Sequence, residues 1–195
     1  MSGLRVLCLH GYHGRSAILR DQMRSLTAAL PATVEFAYAD APSLATGDFG
    51  WWHEGFDGWE RSRDWAIELV CAGPRFAGVF GFSQGAALAG LLTAVQESVA
   101  APPRFRFGFS IMVGGFTSDL PQHAELFRHK LITPSVHVIG RRDVIVPSKD
   151  SLRLADRFAD PLVLEHPGGH TVPGHDAVAE PIAGFLAGLT GTDGE

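Results

Sequence analysis

Gly81-Phe82-Ser83-Gln84-Gly85 decides how the rest of this chain reads. The five residues follow an apolar run, Phe76 to Phe82, and lead into an Ala/Leu-rich stretch, Ala86 to Val99: a strand, a sharp turn and a helix in succession. A serine at such a turn takes up a cramped backbone conformation, and glycines two residues to either side let the neighbouring strand and helix pass closely. Its hydroxyl then stands clear of the sheet at a helix N-terminus, where free N–H groups and the helix dipole favour developing negative charge. The pattern alone carries little weight in a chain with 23 glycines; its placement carries the argument. The competing reading is a tight strand-to-helix turn with an inert serine. Gly108-Phe109-Ser110 is an internal control: it begins the same way, but Met112 stands where the second glycine would be and no helix signal follows at once. Ser110 therefore reads as a strand residue.

Composition bounds the class. The 195 residues are the size of one domain, 1–190, with 191–195 expected to fray. Apolar residues make up 46% and charged residues 19%, as in a folded globular chain. The net charge of −5 comes from 16 basic and 21 acidic residues scattered along the chain, with no basic stripe for nucleic acid. No stretch approaches the ~20 apolar residues of a membrane span. Met1-Ser2-Gly3-Leu4-Arg5 lacks the pattern of a signal peptide. Cys8 and Cys71 suggest no disulfide framework and read as buried, inert thiols. With no asparagine, and hence no N-glycosylation site, a cytoplasmic location is expected.

Taken in order, Leu4 to His10 reads as a strand buried on both faces and ends in His10-Gly11-Tyr12. A helix is expected from Ser16, as its N-cap, to Leu30, then a strand over Val34 to Ala39. The loop Ser43 to Gly58 is rich in aromatics, with Phe49, Trp51, Trp52 and Phe56 leading to Trp59; it either packs down as a local cluster or lines something. A helix over Trp59 to Ala72, the Ser83 strand and a helix to about Val99 follow. Phe107 to Val113 reads as a strand, Asp119 to Lys130 as a short helix, and Ser135 to Ile139 as a strand. The last three elements are a helix over Ser148 to Phe158, a strand over Leu162 to Glu165 and a helix from Asp176 to about Leu189. Such alternation predicts a doubly wound α/β domain: a mainly parallel sheet of about six strands with helices on both faces and active groups at the carboxyl ends of strands.

A serine needs a base to take its proton, and the base needs a group that fixes its tautomer. The elbow resembles that of the α/β-hydrolase fold, in which these partners follow in the order Ser, Asp or Glu, His, each just after a strand. Asp143 lies three residues past Gly140 at a strand exit, whereas Asp150, Asp156 and Asp160 fall in or after the next helix and are expected to face solvent. Asp143 is the expected acid, against the alternative of a turn aspartate. Of the late histidines, His166 ends its strand and His175 precedes the last helix. His170 lies between them behind two glycines that can turn it back over the sheet edge, and it is the expected base. Zinc on His166, His170 and His175 is disfavoured, because Pro167, Gly168 and Gly169 rule out the helix that would align them. The oxyanion donors are expected to be the backbone N–H groups of Gln84 and Tyr12, and His10 is expected to order its loop.

Several stretches together resemble one family: Leu7-Cys8-Leu9-His10-Gly11-Tyr12, Gly81-Phe82-Ser83-Gln84-Gly85-Ala86, Val138-Ile139-Gly140-Arg141-Arg142-Asp143-Val144-Ile145-Val146-Pro147 and His166-Pro167-Gly168-Gly169-His170-Thr171-Val172-Pro173. They are similar to the serine hydrolase family first described in yeast, the group that includes the ovarian tumour suppressor candidate 2 protein. Asp40-Ala41-Pro42 and Trp51-Trp52 match that family's early loops. The resemblance implies cofactor-free hydrolysis of carboxylic esters or thioesters, including carrier-bound acyl thioesters, by Ser83, Asp143 and His170. Arg141-Arg142 departs from the family's usual residues and puts the electrostatics near the pocket in question. Trp51, Trp52 and Phe116 are the candidate apolar wall for the acyl group. Two other readings stand beside hydrolysis: acyl transfer by the same triad, and a binding protein on a hydrolase fold. Acyl length, leaving group and oligomeric state are not legible.

Overall fold

The computed structural model of the chain describes residues 3–43 and 50–190. Met1, Ser2, Phe49 and the tail expected to fray lie outside the described residues. Six strands form one sheet in the order β2-β1-β3-β4-β5-β6: β1 Leu4–Leu9, β2 Val34–Ala39, β3 Gly78–Phe82, β4 Phe109–Val113, β5 Ser135–Gly140 and β6 Pro161–His166. Every neighbouring pair is parallel. Among the described residues six α-helices lie between them, α1 Ser16–Gln22, α2 Arg24–Ala29, α3 Trp59–Ala72, α4 Gln84–Glu97, α5 Pro121–Ala124 and α6 Ser148–Ala155, and α7 Asp176–Thr190 follows β6.

Strand alternation divides the core into two layers. On one face Leu7, Leu9, Val79 and Met112 pack against α3 and α4. On the other, Val6, Cys8, Phe80, Phe82, Ile111 and Val113 pack against α1, α2 and α7. The central strands β3, β4 and β5 are buried along their whole length, which is why they read as continuous apolar runs, while the edge strands β2 and β6 are partly exposed. All of α4 except Glu97 is buried, and its Ala- and Gly-rich sequence lets it lie close to the sheet. No helix among the described residues is long and apolar enough to cross a membrane.

Four expectations need correction. The helix expected over Ser16 to Leu30 is divided at Met23. Ser16 is its first residue and not its cap: the Ser16 N–H donates to Asp40 Oδ1 at 2.6 Å, so a carboxylate beyond β2 satisfies the helix start. The helix expected over Asp119 to Lys130 shrinks to α5 and a 3₁₀ turn, Glu125–Phe127; Pro121 opens it, and Ser118 Oγ accepts the Leu120 N–H just before it. The helix after β5 ends at Ala155, earlier than Phe158. These shifts leave the carboxyl ends of β1, β3, β4, β5 and β6 on one edge of the sheet. Between β1 and β3 the direction of strand addition reverses, and the crevice at such a switch point is where α/β sheets bind ligands.

Candidate active site

Ser83 stands at that crevice, between β3 and α4, with φ 56° and ψ −120°. This left-handed conformation is costly for a residue with a side chain, and the neighbours hold it in place. The Ser83 N–H donates to the Val113 carbonyl at 2.9 Å, and its own carbonyl accepts the N–H groups of Ala86 and Ala87. The flanking glycines are steric necessities: a Cβ on Gly81 would lie 2.1 Å from the Gly85 carbonyl oxygen, and one on Gly85 would lie 2.1 Å from that of Leu9. β1, β3 and α4 thus meet backbone to backbone beneath the serine.

Asp143 follows β5 and His170 follows β6. His170 Nδ1 lies 2.6 Å from Asp143 Oδ2. A carboxylate can only accept, so Nδ1 carries the proton and Nε2 is left free. Asp143 Oδ1 accepts the N–H groups of Ile145 and Val146 at 2.9 and 2.8 Å, which fixes the carboxylate from its other side. The His170 ring packs on Phe82, the residue before Ser83, with centroids 4.7 Å apart. Gly114, at φ 57°, makes room for it: a Cβ there would come within 3.1 Å of His170 Cε1. The other late histidines serve the scaffold. His166 is buried, and its Nδ1 accepts the Gly168 N–H, shaping the loop that carries His170. Burial lowers the His166 pKa, His175 lowers it further and Asp143 opposes the shift. Among the described residues no three His, Cys, Asp or Glu side chains group as metal ligands do.

The loop after β1 is organised by His10. Its Nε2 accepts the Ala41 N–H at 3.1 Å, so the ring is protonated on Nδ1, which donates to the Gly11 carbonyl at 2.8 Å. Burial lowers the pKa of His10 and suits this neutral form, against smaller opposing effects of the Gly11 bond and Asp40. Tyr12 comes next, half exposed. Among the described residues neither the Tyr12 nor the Gln84 N–H has a backbone acceptor.

The aromatic loop does both of the things expected of it. Trp51 is buried away from the cleft, contrary to its expected place on the acyl wall: its Nε1 donates to the His10 carbonyl at 2.7 Å and its ring packs on His10 and Trp65. Trp52 and Phe116 do line the cleft. The Gln84 side chain, for which the sequence offered no role, clamps the loop: its Oε1 accepts the Trp51 N–H at 2.8 Å and its Nε2 donates to the Trp52 carbonyl at 2.9 Å. Ser62 Oγ donates to the Trp51 carbonyl.

The cleft beside Ser83 has a volume of about 570 Å3. Trp52 and Phe116 line it together with Tyr12, Ser83 and Gln84, and Ile145, Val146, Pro147, Asp119, Asp150 and Arg153 are additions. The apolar run Val144-Ile145-Val146-Pro147 directly after the acid was a legible signal for the first three. Asp150, expected to face solvent, borders the cleft from α6. Arg141 pairs with Glu165 at 2.8 Å, and neither Arg141 nor Arg142 lines the cleft.

A family model described as Serine hydrolase (FSH1) matches residues 1–182. Similar proteins include Esterase OVCA2 of Xenopus tropicalis, 35% identical over 201 residues that cover 87% of this chain and 86% of that protein. Esterase OVCA2 of Danio rerio is 34% identical over 224 residues, covering 94% and 96%. Among solved structures, Zea mays acyl-protein thioesterase 2 aligns with a TM-score of 0.67 at 21% identity over 95% of both chains. The Bacillus cereus carboxylesterase aligns at 0.68 and 16% identity over 96% of this chain and 89% of that one; at these identities the likeness is one of fold. The chain therefore belongs to the serine hydrolase (FSH1) family, esterase-type enzymes built on the α/β-hydrolase fold.

Proposed function

We propose that this enzyme cleaves carboxylic esters or thioesters of apolar acyl groups through an acyl-enzyme on Ser83. The observation that carries the reading is the fixed Asp143–His170 pair, with Nδ1 committed to the carboxylate and the imidazole resting on the residue that precedes a strained serine. In this reading Ser83 Oγ attacks the acyl carbonyl while His170 Nε2 takes its proton. The same nitrogen returns the proton to the leaving alcohol or thiol, and Asp143 stabilises the imidazolium that forms in between. The Tyr12 and Gln84 N–H groups, both without a backbone acceptor among the described residues, serve as oxyanion donors, each typically worth 10²–10³ in rate. Water activated by His170 then releases the acid. Trp52, Phe116 and Val146 supply an apolar wall for the acyl chain.

Intact-mass spectrometry after treatment with a fluorophosphonate tests the assignment, together with turnover of p-nitrophenyl acetate, butyrate and decanoate. One adduct is expected on the wild type and none on Ser83→Ala, with turnover lost in parallel. Folded wild-type protein that takes no adduct would refute the proposal.

A further inference from the structure

The cleft beside Ser83 is not uniformly apolar. Beyond Trp52, Phe116, Val146 and Pro147 it is bordered by four ionisable side chains of fixed sign, Glu54, Asp119, Asp150 and Arg153. Asp150 and Arg153 are three residues apart on α6, with Arg153 Nη1 3.7 Å from Asp150 Oδ1. The other arm of the guanidinium, Nη2, donates at 3.2 Å to Asp119 Oδ1, on the loop that leads from β4 to α5. Among the described residues Arg153 carries the one guanidinium on the cleft, each of its two Nη groups lies beside a carboxylate, and Glu54 adds a third carboxylate. Among the described residues, three carboxylates against one guanidinium leave an excess of two negative charges around the cleft, on a chain whose own net charge is −5.

From this distribution we infer that the cleft selects acyl groups that are uncharged or cationic beyond the ester carbonyl and rejects those that carry a carboxylate or phosphate there. The inference rests on Ser83 as the nucleophile and adds to that reading the charge class of its substrates. An alkyl chain meets the apolar wall at no electrostatic cost. An anionic chain meets a like-signed field from the rim of the cleft, where Glu54 and Asp119 are exposed and the field is open to screening by salt. An anion that approaches Arg153 must share the guanidinium with Asp119 and Asp150, whose charges already offset it. A cationic chain finds acceptors already in place.

The test uses p-nitrophenyl esters of three six-carbon acids: hexanoic acid, adipic acid as its half ester, and 6-aminohexanoic acid. The two charged esters bring similar desolvation, so their ratio of kcat/KM isolates the sign of the charge. At low ionic strength the amino ester is expected to be favoured over the half ester by about tenfold or more. About 0.5 M salt should bring the ratio towards one. The ratio is read within each variant, so any general loss of activity cancels. It should fall about tenfold in Glu54→Gln/Asp119→Asn and rise in Arg153→Gln, which leaves the carboxylates uncompensated. A wild-type ratio near one, or the same ratio in all three proteins, overturns the inference. Hexanoate turnover that disappears in Ser83→Ala would then still uphold the nucleophile; no hexanoate turnover in the wild type sinks both.

Discussion

The chain contains two segments that begin Gly-Phe-Ser, and they meet opposite fates. In Gly81-Phe82-Ser83-Gln84-Gly85 the strand ends at Phe82, the serine takes φ 56°, and α4 starts at once. In Gly108-Phe109-Ser110-Ile111-Met112 the serine stays within β4, fully buried, with its Oγ 2.6 Å from Thr93 Oγ1. The fifth residue makes the difference. Gly85 lets the first turn of α4 lie against the carbonyls of Leu9 and His10, where a Cβ would collide at 2.1 and 2.5 Å. Met112, in the same position, is a core residue packed beneath α4. Two segments with the same opening become a strained turn and a piece of core because one lacks a side chain where helix and strand must touch.

The largest expected effect comes from exchanging each serine for alanine. Ser83→Ala should lower kcat/KM for p-nitrophenyl butyrate by at least about 10³-fold with little change in melting temperature. Ser110→Ala should keep turnover within about twofold. It should cost at most about 1 kcal/mol, because Thr93 Oγ1 keeps its bond to the Ala89 carbonyl. Comparable activity losses in the two variants would mean that the segments do not differ in the way the backbone indicates.

Gly85→Ala attacks the difference at its origin. The added methyl meets backbone oxygen, which cannot rotate away, so α4 and β1 must separate. The expected cost is about 3 kcal/mol, the upper end of ordinary overpacking, with turnover lost even in the fraction that remains folded. Urea unfolding and butyrate hydrolysis at a temperature where the variant is folded give the two readings. Wild-type stability would show that the close approach is dispensable.

Much of this was legible because it rests on local chemistry. The sharp turn at Ser83, and the positions of Asp143 after β5 and His170 behind two glycines that bring the two side chains together, each announce themselves through short spacing and turn residues. The sheet follows from alternation of apolar runs with helical periods. The cleft was less legible, because its lining comes from separate loops and helices, from Tyr12 after β1 to Arg153 on α6, whose side chains meet only in three dimensions. Trp51 and Trp52 are adjacent in sequence, yet one is sealed against His10 and the other borders the cleft. No periodicity distinguishes them; the Gln84 side chain does, by holding both backbones from the far side of the elbow. Gln84→Ala should therefore cost about 1–3 kcal/mol by stranding two buried backbone groups. It should also reduce decanoate turnover more than acetate turnover as the wall around Trp52 loosens. Equal losses on both esters would assign Gln84 a folding role alone.

The smallest expected effect probes the sheet around Ser110 and leaves the elbow intact. Met112 of β4 pairs with His137 of β5, which is buried with its Nε2 3.2 Å from Ser135 Oγ and its ring edge-on to Phe158. Burial lowers its pKa from an ordinary 6.5 to about 3. The unfolded chain therefore takes up a proton at a pH where the folded chain does not. The stability contribution is complete above about pH 6.5 and is lost as the pH falls from there towards 3. Between pH 6.5 and 5.5 one such group removes ~1 kcal/mol. His10, His123 and His166, also lowered by burial, act in the same direction. His137→Leu should accordingly retain an acid-dependent decline in its urea midpoint, but a shallower one than the wild type by about that amount. Parallel curves would mean that β5 opens to admit the proton without unfolding. The buried strands beside Ser110 would then be the more pliable of the two regions.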